Sequence, residues 1–272
     1  MPKIKVNDIN LYYEEYSGEK GDPIVFISGF SGDHLMWSGL LKECTLKHRV
    51  VVFDNRGVGQ SDRPDYPYTV DMMADDTAAL CRELNIPKAT FVGNSMGGFI
   101  AQTLAYKYPD LTKSAVISNS IEKYSGIGFK ALLEAQLKLI EAKAPVDAVV
   151  KVGLGWCFSE KFLSRPGLID FIVKSELENK YPATAIGFKN QINACLNFDA
   201  SSWVQKINKH CLVIGSDEDK IFPEKLTRNL STLIPNAKYF CFEGGVGHVP
   251  CIEEPELFSK VILGFCAKNA AS

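Results

Sequence analysis

Little in this chain of 272 residues points to a membrane, a metal ion or a nucleic acid. No stretch approaches the roughly 18 uninterrupted apolar residues needed to cross a bilayer. The opening MPKIKVNDINLYYEEY has neither an apolar core nor a small-residue cleavage site, so no signal peptide is read there. An excess of one charge is also missing, with 30 Lys+Arg against 32 Asp+Glu. Polyanion binding rests on clustered cations that neutralise phosphates, so this balance excludes nucleic-acid binding as a main activity, and a charge-driven membrane role with it. The eight cysteines form no CxxC pair. Zinc sites are marked by such close pairs, and no metal is expected. Several cysteines sit in apolar runs, as Cys211 before LVIG, where a thiol behaves as a small buried hydrophobe. Their pattern fits a reduced, cytoplasmic protein.

What the chain does have is a rhythm. PIVFISG (23–29), RVVVFD (49–54), ATFVG (89–93) and SAVISNS (114–120) read as short buried strands. Helical patterns lie between them, over 69–84 and from SMGGFIAQTLAYKYP onward to the stop at Pro109. Strands alternating with helices predict an α/β fold with a mostly parallel central sheet flanked by helices. The rhythm breaks over 121–203, where only helical patterns appear, and returns at CLVIGSDEDKIFP and AKYFCFEGGVGH before a last helix over 254–267. Residues 1–120 and 204–272 are therefore expected to form one core, with 121–203 inserted as a helical cap.

The strongest chemical signal is Gly93-Asn94-Ser95-Met96-Gly97, a GxSxG pattern set between a strand and a helix. A nucleophile on such a turn is thrust out of the backbone, and the crowded flanks demand small residues two before and two after it. A serine hydroxyl needs a base. Of the four histidines, His48 and His210 sit at element edges and His34 reads as a pocket-lining or surface residue. His248, between glycines and the last helix, lies where ligand crevices of open α/β sheets form, and is the expected base. Three acids follow CLVIGS: Asp219 is favoured as the histidine's partner, with Asp217 as the alternative and Glu218 pointing away. The backbone N–H groups of Met96 and Phe30 are the expected oxyanion donors. Asn119 and Trp156 are candidate pocket residues. Asp54, Arg56 and Ser61 are expected to tie a glycine-rich turn together.

Several of these motifs, in this order, resemble the α/β-hydrolase superfamily. FISGF followed by Trp37 is similar to its oxyanion loop, DNRGVGQSD to its DxRGxGxS turn, GNSMGG to its elbow, GSDEDKIFP to its acid loop and GHVPCIEEPELF to its ending. DNRGxGxSD and SMGGxIAQ are nearest in flavour to esterases and enol-lactonases. Ser28 stands where the family usually has a histidine before the oxyanion glycine. The resemblance implies a serine hydrolase of a small, largely apolar carboxylic ester or lactone, working through an acyl-enzyme without cofactor or metal, as monomer or homodimer. GNSMGG is also similar to carbon–carbon bond hydrolases of ring-cleavage products. Those carry a glycine-rich oxyanion loop and a tryptophan after the histidine, where this chain has SGFSG and Val249. A hydrolase-like ligand-binding or signalling protein is the third alternative.

Overall fold

A computed structural model of the chain describes residues 2–17, 21–124 and 126–269. Strands β1 (Lys3–Val6), β2 (Ile9–Tyr16) and β3 (Gly21–Ile27) come first, followed by α1 (Ser38–Cys44), β4 (His48–Phe53) and α2 (Val70–Glu83). Next are β5 (Ala89–Asn94), α3 (Met96–Lys107) and β6 (Thr112–Ser118). Five helices follow with no strand between them: α4 (Ile127–Glu141), α5 (Val146–Cys157), α6 (Glu160–Leu163), α7 (Leu168–Leu177) and α8 (Ala185–Leu196). The chain then returns through β7 (His210–Ser216), α9 (Glu224–Leu233), β8 (Ala237–Phe242), α10 (Pro250–Glu253) and α11 (Pro255–Lys268). Among these no helix is long and apolar enough to cross a membrane.

The eight strands form one sheet in the order β1-β2-β4-β3-β5-β6-β7-β8, antiparallel at β1-β2 and β2-β4 and parallel from β4 onward. Apolar runs such as IVFI and VVVF suit strands covered on both faces, because successive side chains point to opposite sides. Val25, Ile27, Val51 and Phe53 enter one core with α2 and α3. Their neighbours Ile24, Phe26, Val50 and Val52 enter another, with α1 and α11. Thr69, expected inside α2, instead caps it: its side chain accepts the Met72 N–H at 3.1 Å. The strand read over 114–120 runs over 112–118, because Asn119 takes a positive φ of 45° and leaves the sheet.

Parallel strands place their following loops on one sheet edge. The segments after β3, β4, β5, β6, β7 and β8 carry Phe30, Asp54, Ser95, Asn119, Asp219 and His248 respectively. The helical block meets that edge through α8. A Cβ added to Gly187 would stand 2.0 Å from the carbonyl oxygen of Gly57, so only glycine lets the helix approach the turn after β4. Gly187→Ala is expected to destabilise the protein by about 1–3 kcal/mol, seen as a lower Tm. Gly155→Ala in α5, where an added Cβ meets nothing within 4 Å, is expected to leave Tm unchanged or slightly higher.

Candidate active site

Ser95 joins β5 to α3 with φ 57° and ψ −119°, a conformation that costs a non-glycine residue roughly 1–3 kcal/mol. Its surroundings hold it there. The Ser95 N–H donates to the Ser118 carbonyl at 2.9 Å, and its own carbonyl accepts from Gly98 N–H at 2.8 Å and the Ser120 hydroxyl at 3.1 Å. The flanking glycines are steric necessities: a Cβ on Gly93 would lie 2.0 Å from the Gly97 carbonyl oxygen, and one on Gly97 2.0 Å from that of Ile27. Ser95 is nearly buried, at 8% exposure.

His248 Nδ1 lies 2.8 Å from Asp219 Oδ2. A carboxylate facing Nδ1 assigns the proton to that nitrogen and leaves Nε2 as an acceptor. Nε2 is buried and has no hydrogen-bond partner among the described residues. Asp219 is itself held on every side. Its Oδ1 accepts the N–H groups of Ile221 and Phe222 at 2.8 and 2.9 Å, and its Oδ2 also accepts from Asn119 Nδ2 at 2.9 Å. This corrects the reading of Asn119 as a pocket residue: it is fully buried, with its amide donating to Asp219 and to Ser216 Oγ.

Asp217, the alternative acid, does not face the histidine. Its carboxylate gathers the backbone N–H groups of Gly244, Gly245 and Val246 at 2.8, 3.1 and 2.9 Å, folding the loop that carries His248. Burial favours its neutral form, but those three donors outweigh it and hold its pKa below 3.8. Two further contacts tie the same loop to the helical block: His248 N–H donates to the Cys157 carbonyl at 2.9 Å, and Glu253 accepts both Gly247 N–H and Ser159 N–H at 3.0 Å. On the sheet side, Asn94 Nδ2 donates to the His248 carbonyl at 3.3 Å, joining the loop to the residue before Ser95.

The loop after β3 lies against the same serine, since a Cβ on Gly29 would be 3.2 Å from Ser95 Cβ. Neither Phe30 N–H nor Met96 N–H has a protein acceptor among the described residues. The Ser28 hydroxyl accepts from Trp37 Nε1 at 2.9 Å and donates to the Asp33 carbonyl at 2.8 Å. Trp156 is half-buried at the end of α5 and packs against the core shared by α2 and α3. Among the described residues no group of three or more His, Cys, Asp and Glu is placed to hold a metal ion.

The sequence profile of the alpha/beta hydrolase fold matches residues 22–255. The chain belongs to this family. It is similar to a Mycobacterium tuberculosis protein provisionally named a non-heme bromoperoxidase, at 31% identity over 97% of this chain and 100% of the other. It is 26% identical to 3-oxoadipate enol-lactonase 2 of Acinetobacter baylyi over 95% of this chain and 94% of that one. Among solved structures, the enol-lactonase of Burkholderia xenovorans LB400 superposes with a TM-score of 0.87 at 23% identity, covering 98% of this chain and 100% of that chain. The chain is an α/β-hydrolase similar to enol-lactonases, and it has the expected mostly parallel sheet flanked by helices.

In the sequence His34 reads as a pocket-lining or surface residue, Gln191 carries no motif signal, and Glu253 falls within the GHVPCIEEPELF ending with no role of its own. His34 is buried: its N–H and Nδ1 meet Asp54 Oδ1 at 2.8 and 2.7 Å, and its Nε2 lies 3.4 Å from Glu14. It knits β2, β4 and the loop after β3 together. The turn after β4 is tied as expected: Arg56 pairs with Asp76 at 2.6 Å, and Ser61 Oγ donates to the Asp54 carbonyl at 2.6 Å. Burial pushes the His34 imidazole down, but its bond to Asp54 and the charges of Asp54, Asp33 and Glu14 outweigh this and raise its pKa above 6.5. A histidine raised on folding lends stability that is fully present below about pH 6.5 and is lost as pH climbs through the raised folded value. Urea midpoints of the wild type should therefore fall over that interval more than those of His34→Gln; equal slopes would remove His34 as the source.

Proposed function

We propose that this α/β-hydrolase cleaves a small, largely apolar carboxylic ester or lactone through an acyl-enzyme on Ser95. The observation that carries this reading is the His248–Asp219 pair at 2.8 Å with Nε2 unpartnered, on a loop bonded to the residue before Ser95. Ser95 Oγ attacks the carbonyl while His248 Nε2 takes its proton. Asp219 orients the imidazole and stabilises the imidazolium without accepting the proton. The N–H groups of Phe30 and Met96, the latter at the N-terminus of α3, receive the tetrahedral oxyanion. His248 then protonates the leaving alcohol, or the opened ring oxygen of a lactone, and activates the water that releases the acid.

Residues 121–203 act as a cap over this core, and the cap sets the choice of acyl group. Phe188 of α8 packs edge-on against Phe30 with ring centres 4.6 Å apart, beside Leu133, Phe129 and Ile192. Phe222 lies edge-on to the His248 ring at 5.4 Å. Aromatic and aliphatic walls around the oxyanion loop and the base support an apolar acyl or aryl group. The reaction needs neither cofactor nor metal, and a cytoplasmic protein is consistent with the pattern of cysteines in apolar runs.

Purified protein is expected to hydrolyse p-nitrophenyl acetate or butyrate and to be labelled at Ser95 by a fluorophosphonate. Ser95→Ala should abolish both, a loss of at least about 10³-fold in kcat. Inactivity of the wild type on a broad ester and lactone panel, with no label on Ser95, would overturn the proposal. The two acids separate in a second experiment. Asp219→Asn should lower kcat by about 10³–10⁴-fold with little change in fold. Asp217→Asn should keep kcat within about tenfold and instead lower stability by about 0.5–1.5 kcal/mol, because three loop N–H groups lose a charged acceptor at the surface.

A further inference from the structure

Gln191 lies in α8, outside every motif that marks the site, and is completely buried. Both ends of its amide are engaged across the junction between helical block and core. Oε1 accepts Ser31 N–H at 2.8 Å, and Nε2 donates to the Arg56 carbonyl at 2.9 Å. No other side chain bonds the backbone of the oxyanion loop from the helical block among the described residues.

The segment that Gln191 grips is a strained turn. Gly32 N–H donates to the Gly29 carbonyl at 3.2 Å, closing a four-residue turn with Phe30 and Ser31 at its centre. Ser31 has φ +60°, while Phe30 does not enter the positive region. A positive φ at the third position is the type II pattern, which favours glycine or asparagine there. A serine at that place leaves the turn prone to flip its central peptide to the type I orientation, unless something holds the Ser31 N–H. Gln191 is that hold, and it is anchored in turn by the Arg56 carbonyl and by the close Gly187–Gly57 contact below it.

We propose that Gln191 is a positioning residue for the oxyanion donor: by holding the Ser31 N–H it keeps the turn that carries Phe30 seated beside Ser95, and with it the Phe30 N–H within reach of the acyl oxygen. The helical block then contributes to the rate of acyl transfer as well as to the choice of substrate. This rests on the ester-hydrolase reading of Ser95. A donor that strengthens its bond only as negative charge develops affects kcat more than KM.

The test compares Gln191→Met, which keeps the length and removes both polar atoms, with Gln191→Glu, which keeps an acceptor for Ser31 N–H. Activity on p-nitrophenyl butyrate is divided by the concentration of fluorophosphonate-labelled Ser95, so unfolded molecules drop out of the ratio. Gln191→Met is expected to lower kcat per labelled site by about 10- to 100-fold, less than or equal to the loss of one oxyanion donor, with KM within about threefold. Gln191→Glu should recover at least half of that loss on a logarithmic scale. A glutamine that merely stabilises the fold would lower Tm and the number of labelled sites while leaving kcat per site at the wild-type value, and that result overturns the proposal. Gln191→Glu performing no better than Gln191→Met overturns it too, since the acceptor would then be irrelevant. If the wild type neither turned over the ester nor labelled at Ser95, the hydrolase reading itself would fail, an outcome distinct from both.

Discussion

Backbone packed against backbone, closer than any Cβ allows, is the constraint on which the rest of this structure depends. The turn between β5 and α3 folds back so tightly that Gly97 seats under the carbonyl of Ile27, and Gly93 under that of Gly97. Only that approach lets Ser95 keep a positive φ and still hand its N–H to Ser118 and its carbonyl to Gly98 and Ser120. Because β3, β5 and β6 are neighbours in the sheet, the same contact brings the loop after β3 against the serine and the end of β6 beneath the acid. A side chain at either glycine would separate these elements, and each would lose its partner.

Around this centre, buried polar side chains do the work of holding loops that have no regular structure of their own. Asp219 is fixed by two backbone donors and Asn119, Asp217 by three backbone donors, and Glu253 by donors from two different segments. Asp219 and Glu253 are acceptors removed from water, tolerated inside a protein because hydrogen bonds replace the lost solvation, while Asp217 holds its loop from the surface. The result is a set of loops whose positions are set by geometry rather than by packing alone. His34 plays the same part on the far side of the loop after β3, between Asp54 and Glu14.

The helical block enters this network at two points, through Cys157 and Ser159 to the histidine loop and through Gln191 to the loop after β3. Neither connection is legible in the sequence. Motifs are legible where chemistry restricts the residue and its immediate neighbours together, as at GNSMG, where a strained turn demands glycine two residues to either side. Gln191 acts across 160 positions of sequence, on Ser31, and no local rule marks it; Glu253 falls within the GHVPCIEEPELF ending, but its reach across 94 positions to Ser159 is not marked there. The one trace of Gln191 is a polar residue on the buried side of α8, beside Asn190, in a stretch whose periodicity reads only as helix. Asn119 reads from the sequence as a pocket candidate at a strand end, whereas in the structure it has a positive φ and its amide bonds Asp219.

The amino-acid sequence by itself determined the alternation of strands and helices, the helical character of residues 121–203, the elbow and the family. These follow from periodicity, turn chemistry and steric demands that act within a few residues. Only the tertiary structure decided that Asp219 and not Asp217 faces His248, that His34 is a buried tie, and that the helical block bonds directly to both loops of the site. Adjacent acids on one short loop are equivalent in local propensity. Which of them meets a histidine 29 residues further on is settled by the packing of β7 against β8 and by the backbone donors each carboxylate finds there.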